Sequence, residues 1–287
     1  MILITDGGST KCDWIAIDKA GNRLLDEKIR TKGLNPAILT DRKLHKIITG
    51  SKKLMEHKSN VTHVFFYGAG CGTEKPRMML HNILESIFIN AEVDVNEDTM
   101  AAVRSSLNHN DEAAVVCILG TGSNCSYFDG NTLHQRVKSL GYTLMDDASG
   151  NYYGKQLIRD YYFNKMPETI KFAFSHKYNL DADYIKYNLY KQANPNAYLA
   201  NFAEFMFLNK DSEYIRELIK SGLRLFTENM IMQFEEELKT CPVHFAGSIA
   251  YFSQEEIKEV AAEYGFTVGN FIRRPIEGLV DYHIKNL

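Results

Sequence analysis

The chain has 287 residues, more than one small core usually holds, so two domains are expected. Hydrophobic residues at 45% and charged residues at 24% lie in the globular range and exclude a disordered chain. Thirty-three basic against 36 acidic residues give a net charge of −3 with no long basic run, which argues against nucleic acid or an anionic membrane and for a small-molecule substrate.

The longest apolar runs, near Val64–Tyr67 and Ala113–Leu119, fall far short of the about 20 residues that cross a bilayer. Met1–Thr5 leads into an acid and glycines without the basic lead and cleavage site of a secretory signal, so a cytoplasmic chain is expected. Cys12, Cys71, Cys117, Cys125 and Cys241 are odd in number, scattered and free of Cys-x-x-Cys, so reduced thiols are expected. The nearest histidines, His57 and His63, are too far apart for a helical metal pair.

In chain order, Met1–Thr5 reads as a strand, Asp6 to Lys11 as a glycine turn and Cys12–Asp18 as a second strand, together a hairpin. A third extended run, Arg23–Arg30, leads to the loop Gly33-Leu34-Asn35-Pro36, where the proline keeps Asn35 out of helical geometry. Periodicity predicts a helix from Thr40/Asp41 to about Glu56, with Leu44, Ile47, Ile48 and Leu54 on its buried face. Val61–Tyr67 reads as a buried strand ending in Gly68-Ala69-Gly70-Cys71-Gly72, the edge of a ligand site. Pro76–Phe88 reads as a helix, Ala91–Val95 as a strand and Glu97–Leu107 as a helix. The polar stretch Asn108–Glu112 then marks a seam, giving domains at 1–109 and 110–287.

After the seam the opening returns: an apolar run Ala113–Leu119, a turn Gly120-Thr121-Gly122-Ser123-Asn124 and a strand Cys125–Phe128. Setting Gly8-Ser9 over Gly122-Ser123 also lays Trp14 over Phe128, a weak internal repeat at an offset of 114 residues. The rest is largely helical, with Tyr152–Asn164, Glu168 to about Asn209, and Ser212–Leu238, before a last strand Val243–Ala246 and a helix Pro275–Leu287.

Two glycine turns between strands expose backbone N–H groups and hydroxyls together, as a polyphosphate requires. Neither turn is specific alone, and a tight hairpin accounts for either about as well. Gly-x-x-x-x-Gly-Lys-Ser/Thr and Gly-x-Gly-x-x-Gly are both absent there, so P-loop and Rossmann sites lack support. Asp6, after four apolar residues, suits a hydrated Mg²⁺, whereas Lys11 reads more readily as a solvated turn charge. A third cluster, Gly141 to Gly154, holds Asp146 and Asp147, of which only one is expected to face a ligand, and Ser149 and Asn151, which read as helix caps. Asp98 opens a helix, where an acid is favourable for dipole reasons alone.

The order of these motifs, from Asp6-Gly7-Gly8-Ser9-Thr10 through Gly33-Leu34-Asn35-Pro36, Gly68-Ala69-Gly70, Asp98, Gly120-Thr121-Gly122-Ser123-Asn124 and Gly141–Gly154 to Gly247-Ser248-Ile249-Ala250, resembles the N-acetylglucosamine kinase-like branch of the BadF/BadG/BcrA/BcrD ATPase family, within the actin, Hsp70 and sugar-kinase superfamily. The resemblance spans about Met1 to Ala250, and the family's general plan implies that the helix Pro275–Leu287 packs back on the first domain. It implies an α/β fold of two ribonuclease H-like domains, each on a five-stranded mixed sheet, with ATP and sugar in an interdomain cleft. By the same resemblance the two glycine turns (Gly7, Gly8, Ser9, Thr10 and Lys11; Gly120, Thr121 and Gly122) are phosphate loops, and Gly247 and Ser248 belong to the adenosine loop. Asp6 holds Mg²⁺ through water, Asn35, Ser123, Asn124 and Asp146 contact the sugar, and Asp98 is the catalytic base.

The implied activity is ATP-dependent phosphorylation of an amino sugar, N-acetylglucosamine to its 6-phosphate. The chain departs from the family's Gly-Asp-Glu-Gly-Ser, having Met145-Asp146-Asp147-Ala148-Ser149, which leaves the choice of sugar open. Two alternatives stand beside it: an iron–sulfur ATPase that activates a dehydratase, and a non-catalytic sugar or nucleotide sensor. Ile249 and Arg224 are candidates for the adenine pocket. The aromatic residues Tyr152, Tyr153, Tyr161, Tyr162, Phe163, Phe172 and Phe174 read individually as core and together allow a homodimer contact.

Overall fold

Strand β1 (Ile2–Gly7) is apolar in most positions because both its faces are covered: Leu3 joins a cluster with Trp14, Val64 and Phe66, while Ile2 and Ile4 join another with Ile15, Ile17 and Tyr67. Alternate side chains of a strand point to opposite sides, so burial on both sides removes the polar half of the pattern. The computed structural model describes residues 1–8, 11–107 and 112–286. The chain divides into two compact units, Met1–Leu107 with Arg274–Leu287, and Asn108–Arg273. The boundary expected at residue 109 lies outside the described residues, as do Ser9 and Thr10.

The first unit runs β1, β2 (Lys11–Ile17), β3 (Ile29–Lys32), α1 (Asp41–Thr49), α2 (Lys52–His57), β4 (His63–Gly68), α3 (Glu74–Ile87), β5 (Glu92–Glu97) and α4 (Asp98–Ser106). Its sheet has the order β3-β2-β1-β4-β5, antiparallel at β3-β2-β1 and parallel at β1-β4-β5. The second unit holds β6 (Ala114–Leu119), β7 (Ser123–Phe128), β8 (Leu133–His134), α5 (Gly150–Tyr162), α6 (Glu168–Lys177), α7 (Ala182–Tyr190), α8 (Pro195–Ala200), α9 (Glu204–Leu208), α10 (Glu213–Asn229), β9 (Val243–Ala246), α11 (Ser248–Phe252), α12 (Gln254–Tyr264) and β10 (Val268–Ile272). Its sheet, β10-β9-β6-β7-β8, repeats the same arrangement: an antiparallel hairpin continued through two parallel strands. Both sheets are five-stranded and mixed, as the resemblance implies. Helix α13 (Pro275–Asn286) belongs to the first unit, where Gly278 lets it approach α4: a Cβ there would lie 2.8 Å from that of Ser105. No helix among the described residues is long and apolar enough to cross a membrane.

The repeat is carried by the strands and not by the glycines. Gly7 faces Cys12 across the first hairpin and Leu119 faces Ser123 across the second, while Trp14 lies opposite Thr5 and Phe128 opposite Ala114 at the far end. The offset of 114 and the pairing of Trp14 with Phe128 therefore do not hold.

Four other expectations need correction. The third extended run is shorter and later, Ile29–Lys32 against Lys11–Trp14, because its expected start makes only one isolated bridge, Arg23 to Ile17, before the chain bends at residues 24–27. The helix expected to Glu56 breaks at Gly50, where the poorest non-proline helix former meets an extended Ser51, and resumes as α2. The helix from Ser212 ends at Asn229 and gives way to short 3₁₀ turns. Val243–Ala246 is not the last strand, since α12 and β10 follow it. In the aromatic region, Tyr153 and Phe174 are core residues, whereas Phe163 and Phe172 are exposed.

Candidate active site

In the first unit the parallel strands β1, β4 and β5 end in register: Gly7 pairs with Gly68, and Gly68 with Glu97. The chain leaves this edge as the first glycine turn, the loop Ala69–Gly72 and the start of α4, so Asp6, Gly7, Gly8, Glu97 and Asp98 gather there. A Cβ on Gly7 would lie 2.7 Å from the Phe66 ring and one on Gly68 2.5 Å from it, so the turn's approach to β4 requires glycine. Gly8 N–H donates to the Lys11 carbonyl at 2.8 Å and closes the turn. Asn35 joins the edge from the β3–α1 loop: its Oδ1 accepts Ala37 N–H at 3.0 Å and lies 2.0 Å from where a Gly70 Cβ would be, Gly70 having φ +84°. Structure thus brings Asp6, Gly7, Gly8, Asn35 and Asp98 to one edge.

The electrostatics of this edge are those of crowded acids. Solvent reaches Asp98, yet protein atoms surround it densely, and that desolvation raises its carboxyl above the usual range despite the backbone N–H of Thr99 at 3.1 Å. Burial, and next the charges of Asp98 and Asp13, raise Asp6 to about 6, with Lys11 and Lys28 opposing. Burial and then Asp98 likewise raise Glu97 and push the Cys71 thiol to about 12. Asp13 is held low, at about 2, by Arg30 and Lys28, which outweigh its own desolvation. Glu97 is a site neighbour the sequence reading passed over; an acid directly before Asp98 at a strand end was its signal.

In the second unit the glycine turn is tied to the loop before α5. Gly120 N–H donates to Gly122 O at 2.9 Å, and Gly150 N–H to Gly120 O at 2.7 Å. Asn151 donates to Thr121 O from its backbone N–H at 3.1 Å and from Nδ2 at 2.6 Å, and Nδ2 also donates to Asp146 Oδ2 at 2.9 Å. Asp146 and Ala148 adopt φ of +69° and +56°. Asp147 turns elsewhere, accepting Asn229 Nδ2 at 3.0 Å, so the two adjacent acids do diverge. Ser123 and Asn124 open β7 opposite Leu119 and Ile118, and Asn124 Oδ1 is a buried acceptor without a hydrogen-bond partner.

Gly247, at φ +110°, brings α11 against the end of β6, where a Cβ would lie 2.3 Å from Leu119 O. Beside it, a cavity of about 560 Å³ is lined by Tyr178, Ala200, Asn201, Ser248, Ile249 and Phe252, among others. Ala200 also borders Gly150, which links the cavity to the glycine turn. Ile249 therefore belongs to this pocket. Arg224 does not line it, being held by Glu217 and Glu263 at 2.7 Å.

The cysteines do not suit a cluster shared between subunits. All five are buried and none forms a disulfide, with Cys71 and Cys125 each 1% exposed and the Cys125 thiol accepting from that of Cys117 at 3.5 Å. Among the described residues no group of three or more His, Cys, Asp and Glu side chains is arranged to hold a metal.

No protein-family model matches the chain, and no curated protein matches it. Among solved structures, the putative N-acetylglucosamine kinase of Porphyromonas gingivalis is 32% identical, with a TM-score of 0.91 over 100% of this chain and 99% of that one. The chain belongs to the sugar-kinase family. The sugar kinase shares its fold with the putative N-acetylglucosamine kinase of Chromobacterium violaceum, 13% identical with a TM-score of 0.73 over 98% of each chain. It also shares it with a ROK-family glucokinase of Streptomyces griseus, solved with glucose and AMPPNP, at 14% identity and a TM-score of 0.59 over 98% of this chain and 97% of that one.

Proposed function

We propose that this sugar kinase transfers the γ-phosphoryl group of ATP to an amino sugar, N-acetylglucosamine at its 6-hydroxyl, as a cytoplasmic member of the N-acetylglucosamine kinase-like branch of the BadF/BadG/BcrA/BcrD family. The observation that carries the reading is Asp98, a solvent-reached carboxyl made more basic by its surroundings, on the sheet edge that also presents Asp6 and Asn35. Phosphoryl transfer needs positioning and charge neutralisation more than covalent help, and a raised carboxylate accepts the departing hydroxyl proton better than an ordinary one.

In this reading Asp98 takes that proton, while Asn35, Ser123, Asn124 and Asp146 hold the sugar. The unpartnered Asn124 Oδ1 supports a ligand that brings N–H or O–H donors. The first glycine turn, between Gly7 and Lys11, and the second, Gly120 to Gly122, meet the phosphates through N–H groups that the turns leave free, those of Gly8 and Gly120 being donated within the turns themselves. Gly247 and Ser248 with the adjoining cavity take the adenosine, for which about 560 Å³ is ample room. Asp6 fits a hydrated Mg²⁺: it is one carboxyl crowded by two other acids, a place short of positive charge, and Mg²⁺ binds through few protein ligands while keeping its waters. When bound, Mg²⁺ offsets the charge of the phosphates.

Coupled ADP release across a panel of amino sugars tests the proposal. Release that depends on N-acetylglucosamine supports it, and silence with every sugar overturns it in favour of a sensor.

A further inference from the structure

Asn151 is wholly buried in the first turn of α5, where the sequence reading made it a cap. The cap is Ser149, whose Oγ accepts Tyr152 N–H at 3.2 Å, so the Asn151 side chain is not needed for that purpose. Its amide instead spends both Nδ2 protons on acceptors from two separate segments, Thr121 O at 2.6 Å and Asp146 Oδ2 at 2.9 Å. The reversed amide would set Oδ1 against a carbonyl and a carboxylate, so the orientation is fixed. Oδ1 itself is buried without a hydrogen-bond partner, a cost to the fold that a purely structural residue has no reason to carry.

The other contacts that hold Asp146 are local: its carbonyl accepts Ser149 N–H at 3.2 Å and Ala148 beside it is buried, while among the described residues Asn151 alone ties its carboxylate to the glycine turn. Leu140 and Leu144 in the preceding segment are 62% and 74% exposed, and Asp146 and Ala148 both occupy the left-handed region that side-chain-bearing residues leave unless held there. On the turn side, Gly122 leaves room for the carboxylate: a Cβ there would lie 2.9 Å from Asp146 Oδ2.

We infer that Asn151 is a positioning residue that couples the second glycine turn to Asp146, so that a nucleotide on the turn strengthens sugar binding and sugar strengthens nucleotide binding. The inference rests on the proposed reading in which the turn faces phosphates and Asp146 faces sugar. A nucleotide that orders Thr121 and Gly122 fixes the partner of Asn151 and hence Asp146, and the sugar then meets a site already ordered. Such linkage is reciprocal.

The test is calorimetric titration of a non-hydrolysable ATP analogue with and without saturating N-acetylglucosamine. In the wild type the sugar is expected to tighten nucleotide binding on the order of tenfold. In Asn151→Ala each ligand still binds alone and the ratio falls to about one, the value for uncoupled sites. Gly122→Ala parts the same two partners without touching Asn151; it should give the same ratio and decides the matter if thermal melts show Asn151→Ala unfolded. A ratio unchanged in the variants, even with weaker binding or a lower melting temperature, overturns the inference, because a merely structural residue would behave so. A wild type that binds both ligands with a ratio of one overturns the coupling and leaves the proposed function standing. A wild type that binds neither ligand removes both.

Discussion

Asp6 at the end of β1 and Asp98 directly after β5 are held at one sheet edge, where burial first and the charge of Asp98 second lift the Asp6 carboxyl to about 6. Crowded like charges are a cost the fold bears for function. Replacing Asp98 by asparagine keeps its size and removes one charge from beside Asp6, Glu97 and Cys71. Asp98→Asn is therefore expected to stabilise the protein at neutral pH by on the order of 0.5–2 kcal/mol, read from urea unfolding. A destabilised variant would contradict the crowding.

A second prediction concerns acid. The Tyr67 hydroxyl accepts from Arg104 Nη1 at 2.5 Å, so its own proton goes to His283 Nε2 at 2.8 Å, and His283, stacked on Phe65 at 3.7 Å, is neutral. Burial, and then the Arg104 charge, push His283 down to about 3. Since the unfolded ring binds its proton near pH 6.5 and the folded ring resists to about 3, stability from this group is whole above 6.5 and lost as pH falls between those values. The loss is about 1.4 kcal/mol per pH unit, or about 2 kcal/mol between pH 6.5 and 5. His283→Gln retains an acceptor for Tyr67 without the titration, so its unfolding free energy should fall less steeply over that range. Parallel curves would refute the assignment.

Ala148 offers a test of backbone strain. It is buried at φ +56°, a conformation that costs an L-residue about 1–2 kcal/mol. Ala148→Gly relieves that strain but loses a buried methyl, about 0.8 kcal/mol, and loosens the unfolded chain by about 0.4–1 kcal/mol. The sum is near zero. Ala102→Gly, equally buried but inside α4, gains no relief and should cost about 2 kcal/mol, from propensity and the lost methyl. Equal losses for the two in denaturant titrations would mean that Ala148 is unstrained.

Much of this was legible in the amino-acid order. β1, β4 and β6 stand out because burial on both faces makes them continuous apolar runs, and the glycines after β1, β4 and β9 mark the places where the backbone approaches another segment most closely. β10 escaped because Gly269 and Asn270 interrupt it; a Cβ at Gly269 would lie 2.6 Å from the His244 ring, and Asn270 N–H must reach His244 Nδ1 across a shift in register. Asn151 was legible only as a cap, since nothing in local spacing reveals that Thr121, thirty positions earlier, supplies its acceptor. Arg224 looked available for a nucleotide because its partner Glu263 lies on another helix. Local pattern shows what a residue can do next to its neighbours in sequence, and tertiary contacts decide what it does.

The central claim is that Asp98 receives the proton of a sugar hydroxyl as that oxygen takes up the γ-phosphoryl group. Single-turnover transfer from ATP to N-acetylglucosamine, compared between wild type and Asp98→Asn with nucleotide affinity measured alongside, tests it most directly. The account predicts a loss of about 10²–10⁴-fold in the transfer rate with nucleotide affinity retained. Transfer at the wild-type rate in Asp98→Asn would contradict it.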